Sequence, residues 1–170
     1  MNLENEIPKH YSRNQALKIV RWIGNDSGRF DELINLFFAA DDRTALTCIW
    51  IISMCAERTP PLILPWLSKL VRLLGKKDVS NAVKRNIIRT LQFVELPRSL
   101  QGTVANLCFD FLQDLKSPIA VKAFSMTVLA NIAEQEPDLR QEIKLVVEQM
   151  LPYGSTGIRA RARIVLKQLA

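Results

Sequence analysis

Apolar residues recur along this chain at steps of three and four, and strict two-residue alternation is absent over any useful length. That period belongs to one face of a helix, not to a strand. One stripe is Leu17, Val20 and Ile23, and another is Leu33, Leu36 and Phe37. Ile87, Ile88, Leu91 and Val94 follow, then Val104, Cys108, Phe111, Leu112 and Leu115. Phe124, Val128 and Ile132, and finally Leu139, Ile143, Val146, Val147 and Met150, complete the series.

Helix breakers and caps divide the stripes. Asp41 or Asp42, Asp78 or Ser80, Ser117, and Ser155 or Thr156 are suited to cap helix N-termini, because their side chains accept orphan backbone N–H groups. Pro118 is read as the first helical residue after Ser117, and Pro97 and Pro137 start the alternate helices in the same way. Pro60, Pro61 and Pro65 crowd another start, so regular helix is expected there only near Leu64. Nine helices result, at about 13–24, 29–39, 42–58, 62–75, 79–95, 98–115, 118–135, 138–151 and 156–169.

A step of 38 residues relates these helices. Ala82-Val83-Lys84 recurs as Ala120-Val121-Lys122. The same step joins Trp50, Ile88, Met126 and Ile164, and Ile52, Thr90, Val128 and Leu166. On the second helix of each pair it joins Leu67, Ala105 and Ile143; Leu70, Cys108 and Val146; Val71, Phe109 and Val147; and Leu74, Leu112 and Met150. One helix pair cannot bury both its faces, so neighbours at this period stack and share a continuous core. An ordinary bundle with chance register is the competing explanation.

The runs Asp78-Val79-Ser80-Asn81-Ala82-Val83-Lys84-Arg85, Ser117-Pro118-Ile119-Ala120-Val121-Lys122 and Thr156-Gly157-Ile158-Arg159-Ala160-Arg161-Ala162 resemble the HEAT and HEAT-like repeats. That family often opens its first helix with a cap, a β-branched residue followed by Lys or Arg, and Ala. The resemblance covers residues 42 to 169 and carries no catalytic residues across. It implies an all-α, right-handed α-solenoid of antiparallel helix pairs. The expected organisation is a polar N-terminal segment at 1–12 and a single repeat domain at 13–170. Within that domain lie an irregular pair at 13–40, repeats at about 41–78, 79–116 and 117–154, and a capping helix at 155–170. In the last helix the column of Val83 and Val121 becomes Arg159, and that of Ile49, Ile87 and Ser125 becomes Arg163. With Lys167 they form a charged stripe, as a solvated end cap requires. An anion-binding stripe is the functional alternative.

Composition agrees with this reading. Apolar residues are 48% of the 170, aromatics only 7%, and the 6 Gly and 8 Pro are too few for a turn-rich β fold. A chain of this length buries about 70% of the surface its unfolded form exposes. The net charge is +6, so an acidic partner is worth testing, although acidic residues are spread throughout. Cys48, Cys55 and Cys108 sit in apolar runs. Cys48 and Cys55 lie two turns apart, roughly 10 Å, too far for a disulfide. Free buried thiols fit a reducing compartment. No apolar stretch approaches the ~20 residues of a membrane span, and the polar start lacks a secretory signal, so a cytoplasmic protein with no membrane association is expected.

Candidate chemistry is thin. His10 is the only histidine, and the cysteines lack paired metal-ligand spacing, so neither a metal nor a cofactor is expected. A Ser-His or Cys-His nucleophile would need His10 as base. Gly24, Gly28, Gly75, Gly102, Gly154 and Gly157 are scattered and form no phosphate loop. Among paired carboxylates, Asp41 with Asp42 reads first as a cap. Asp110 with Asp114, one helical turn apart, and Glu134 with Glu136 read first as solvated surface.

The expected function is therefore a non-catalytic scaffold for another protein or a peptide. In solenoids of the family it resembles, the second helices line the concave side. Here they carry the polar columns Ser68, Asn106, Lys144 and Arg72, Asp110, Glu148, with Trp66 beside them as a half-exposed anchor. The charged members are two positives and two negatives, a poor match for a duplex. The alternative is nucleic-acid binding through Lys84, Arg85, Arg89 and Lys122 on the first helices. Some HEAT-like proteins are DNA glycosylases. Trp66 and Asp110 would be this chain's nominees for an aromatic wall and a catalytic carboxylate, but they fall on different columns. Trp50 reads as core and Trp22 as packing within the first pair. Uncovered Phe30, Phe37 and Phe38 would favour weak self-association, so a monomer or a weak homodimer is expected.

Overall fold

The computed structural model describes residues 1–7 and 12–170, and among these it contains helices and no strand. The chain divides into two compact units, Met1–Leu67 and Ser68–Ala170.

In the first unit, a short helix α1 (Leu3–Glu6) starts where the Asn2 side chain accepts the Asn5 N–H. It lies in the stretch read as a polar segment, yet Leu3 and Ile7 are buried and α1 packs on α3. Helix α2 (Arg13–Ile23) is capped by Ser12 and ends at Gly24. The φ of 53° there lies in the left-handed region that glycine enters without steric cost. Helix α3 (Ser27–Ala39) is capped by Asp26, and α4 (Asp42–Arg58) by Asp41, whose Oδ1 accepts the Arg43 and Thr44 N–H groups at 3.0 Å. Helix α4 packs against α2, α3 and the turn that follows it. This explains why its apolar run is not confined to one stripe.

Helix α3 buries Phe30, Leu33, Ile34 and Phe37 completely or nearly so, and Phe38 is half-buried. The open aromatic face expected on the first pair is therefore corrected: Phe30 and Phe37 belong to the core. After α4 the chain forms a 3-10 helix over Pro60–Trp66, and regular helix α5 (Leu67–Leu74) begins three residues later than expected. Pro65 accounts for the delay, because it lacks an N–H and its ring crowds the carbonyl four residues back.

The second unit continues through α6 (Asn81–Leu91), α7 (Arg98–Gln113), α8 (Ile119–Gln135), α9 (Arg140–Met150) and α10 (Thr156–Gln168). Helix α8 is central, packed against α6, α7, α9 and α10. It accordingly buries Val121, Ser125, Met126, Val128, Leu129, Ala130, Ile132 and Ala133 around its circumference. Ser80 and Ser155 cap α6 and α10 by accepting the Val83 and Ile158 N–H groups. Ser117 does not cap α8, contrary to expectation. Its hydroxyl donates to Asp114 Oδ2, and Pro118, with extended ψ, takes the N-cap position.

The 38-residue columns sort by burial. Leu67, Ala105 and Ile143 are buried, as are Leu70 with Cys108 and Leu74 with Leu112. Ile88 and Met126 have no exposed surface, whereas Ile164 in the last helix is 62% exposed. The tight turn between α9 and α10 needs Gly154, since a Cβ there would lie 2.7 Å from both Met150 O and Ile158 Cγ2.

Helix α6 ends at Leu91, four residues short of the expected 95. The next two amides turn back to carbonyls three residues earlier, Gln92 N to Arg89 O and Phe93 N to Thr90 O. Residues 92–97 then form a linker beside α8.

Candidate functional site

The second helices carry the expected polar columns at their surface. Ser68 and Arg72 on α5, Asn106 and Asp110 on α7, and Lys144 and Glu148 on α9 are all exposed. Their apolar neighbours, Leu70, Val71, Val104, Cys108, Ile143 and Val147, are buried. This is the amphipathic division that fixes which side of each helix a partner can reach. Helix α5 ends against α7, where a Cβ built on Gly75 would sit 3.9 Å from Leu107 Cδ2. Lys144 and Glu148 pair with each other at 4.0 Å along α9. Among the described residues, Arg72 and Asp110 form no ion pair with each other. Trp66 belongs to the 3-10 segment of the first unit and is half-buried, with its Nε1 donating to Asp31 Oδ1 at 2.9 Å. Trp22, in the same unit, carries the Arg29 guanidinium 4.8 Å from its ring centre.

The basic set on the first helices divides. Arg85 is exposed, while Lys84, Arg89 and Lys122 are half-buried. The Arg89 guanidinium lies 5.4 Å from the Phe93 ring centre. On α10, Arg159, Arg163 and Lys167 are exposed, but Arg161 turns inward. Its Nη1 donates to Thr127 Oγ1 at 2.6 Å and Gln92 Oε1 at 3.2 Å, and its guanidinium faces Phe124.

The three thiols are buried, and burial pushes each up to about 12. At neutral pH they are protonated and shielded, the opposite of an activated nucleophile. Asp114 is held below its usual range by the Lys116 N–H and the Ser117 hydroxyl, and Asp41 by the Thr44 N–H and hydroxyl. Both act as local caps. His10 lies outside the described residues. Among the described residues no group of three His, Cys, Asp or Glu side chains is placed to hold a metal ion, and no helix is long and apolar enough to cross a membrane.

A polar network unforeseen in the sequence lies where the 92–97 linker and the start of α7 meet α8. Gln101 Nε2 donates to Leu96 O at 2.9 Å and to Gln135 Oε1 at 2.7 Å. Gln135 Nε2 donates in turn to Glu95 Oε1 at 2.8 Å. Asn131 Nδ2 donates to Gln92 O, and Gln168 Nε2 bridges Asn131 Oδ1 and Glu134 Oε1. Apart from the bond to Leu96 O, these bonds join residues 34 to 40 apart, close to one repeat step. Amide and carboxylate side chains spaced 34 to 40 residues apart were the available signal. They surround a cleft of about 470 Å3.

A family model of the HEAT repeat domain matches residues 3–169, which includes the irregular first pair. Neither the curated proteins nor the solved structures give a match. With a match over nearly the whole length, on an all-helical fold with a 38-residue period, the chain belongs to the HEAT repeat domain family.

Proposed function

We propose that this HEAT repeat domain is a non-catalytic scaffold that binds another protein or a peptide through the exposed polar side of α5, α7 and α9. The observation that carries the reading is the constancy of that side. Ser68, Asn106 and Lys144, and Arg72, Asp110 and Glu148, are exposed in all three helices, while the column of Leu67, Ala105 and Ile143 is buried in all three. Asn106, Asp110, Ser68 and Arg72 do no core work, so they are available to a partner. Their mixed charge suits a polypeptide better than a phosphate backbone, whose affinity comes mainly from cationic contacts. Three protonated, buried thiols support a non-catalytic role and accord with a reducing, cytoplasmic setting.

The test is co-purification from native cells with quantitative comparison of the wild type and an Arg72→Ala/Asp110→Ala variant. Both positions are exposed, so the fold should be unaffected. Loss of the specific partner supports the reading, and an unchanged complex refutes this face. Nucleic-acid binding through Lys84, Arg85, Arg89 and Lys122 is the competing outcome. It would appear as duplex or RNA affinity that falls steeply and log-linearly with salt.

A further inference from the structure

We infer that the cleft beside α8 is a recognition pocket for an arginine side chain of a partner polypeptide. It is lined by the 92–97 linker, Gln101 at the start of α7, and α8, and includes none of the exposed α5, α7 and α9 residues named above. It shares with the proposed function only the premise that the partner is a polypeptide.

Hydrogen-bond polarity in the cleft can be assigned without ambiguity. Leu96 O is a carbonyl and can only accept, so Gln101 must turn its Nε2 towards it. That same Nε2 donates to Gln135, which must therefore present its oxygen and leave its Nε2 for the Glu95 carboxylate. The outcome strands Gln101 Oε1. It is the buried side-chain polar atom without a partner among the described residues, on a residue 4% exposed that lines the cleft. Flipping the Gln101 amide would set oxygen against two acceptors, so the orphan is a property of the network and not of one rotamer.

The mouth of the cleft also holds acceptors in excess. Glu95 and Glu134 line it, and both are exposed. Each receives an amide hydrogen bond on Oε1, from Gln135 and Gln168, and neither forms an ion pair among the described residues. Arg161 reaches Gln92 at the rim, but its Nη1 is already held by Gln92 and Thr127. Glu95 and Glu134 are the charged residues among those that line the cleft, on a chain whose net charge is +6.

The missing complement is thus a cation with several donors. Guanidinium offers five N–H groups in one plane and pairs well with carboxylate and amide oxygens. The walls add Val94, Val128 and Ile132, apolar surface of the kind that an arginine's methylene stem covers. A volume of about 470 Å3 lies within the roughly 300–1,000 Å3 usual for small-ligand sites.

The experiment uses the whole chain and follows the side-chain amide signals of Gln101 and Gln135 and the backbone signals around them by NMR. Four probes are titrated: N-acetyl-arginine-N-methylamide, its neutral isostere N-acetyl-citrulline-N-methylamide, the blocked lysine analogue, and agmatine. The expected result is saturable, millimolar binding of blocked arginine, with the citrulline probe at least about tenfold weaker. A Glu95→Gln/Glu134→Gln variant should lose about tenfold in affinity for blocked arginine with an unchanged melting temperature. The substitutions are isosteric and exposed, so this arm does not depend on perturbing the core. Gln101→Leu, which removes the stranded oxygen, should also abolish binding. Equal binding of citrulline, binding of agmatine but not of blocked arginine, lysine binding as tight as arginine, or no saturable shift would each overturn the inference. None of those results would affect the co-purification test on α5, α7 and α9.

Discussion

One column of the repeat gives a graded test of how the stack ends. Ile88, Met126 and Ile164 occupy equivalent positions on α6, α8 and α10, one 38-residue step apart. The first two have no exposed surface, and the third is 62% exposed. Truncating a fully buried Ile or Met to Ala loses its transfer free energy and leaves a cavity, together about 2–5 kcal/mol. At an exposed helical site the same change costs within about 0.5 kcal/mol, and the better helix propensity of Ala offsets part of that. Urea unfolding of Ile88→Ala, Met126→Ala and Ile164→Ala should therefore give two large shifts in midpoint and one negligible shift, all at unchanged slope. The measurement is run at two protein concentrations. A cost for Ile164→Ala comparable to the other two would refute the view of α10 as a solvated end. If that cost grew with concentration, a second copy would be covering the helix.

The remaining predictions address caps, a tight turn and protonation. Ser80→Ala and Ser155→Ala should each lose about 1 kcal/mol in urea unfolding, whereas Ser117→Ala should lose much less, because Ser117 caps no helix. Gly154→Ala should destabilise by about 1–3 kcal/mol, since its Cβ would meet Met150 O and Ile158 at 2.7 Å. The thiols should resist a disulfide reagent in native protein at pH 8 and react once unfolded. Their folded pKa of about 12 lies above the ordinary 9.0, so the folded state holds its protons more tightly. Their contribution is complete below pH 9 and declines as pH rises towards 12, by up to ~1.4 kcal/mol per pH unit per thiol. Cys108→Ala should flatten that alkaline slope. Asp41 and Asp114 have the opposite sign: their folded pKa values are depressed, so their contribution is lost as pH falls below 3.8. Asp41→Asn should reduce the acid sensitivity of the melting temperature.

Periodicity and caps made most of the helices legible, because each repeat buries the same face and Asp41, Ser80 and Ser155 act locally. Where the sequence misled, tertiary or proline effects intervened. Pro65 postponed α5 to Leu67, and Ser117 bonded backwards to Asp114 instead of forwards into α8. Phe30 and Phe37 looked uncovered because nothing in their own helix shows that α4 packs over them. The exposed columns were legible because polarity at a fixed step survives folding unchanged. The cleft was not, since it arises where α6 stops at Leu91 and frees Glu95 and Leu96 to meet Gln101 and Gln135. No local pattern encodes that encounter.

On our proposal, the polar side of α5, α7 and α9 receives a polypeptide. The most direct measurement places a photo-crosslinking phenylalanine analogue at Asn106 on α7, and at Arg163 on α10 as a control, in native cells. A discrete protein adduct is expected from position 106 that disappears in the Arg72→Ala/Asp110→Ala background, with no such adduct from position 163. An adduct from 163 alone, an adduct at 106 indifferent to those substitutions, or crosslinking to nucleic acid in place of protein would contradict it.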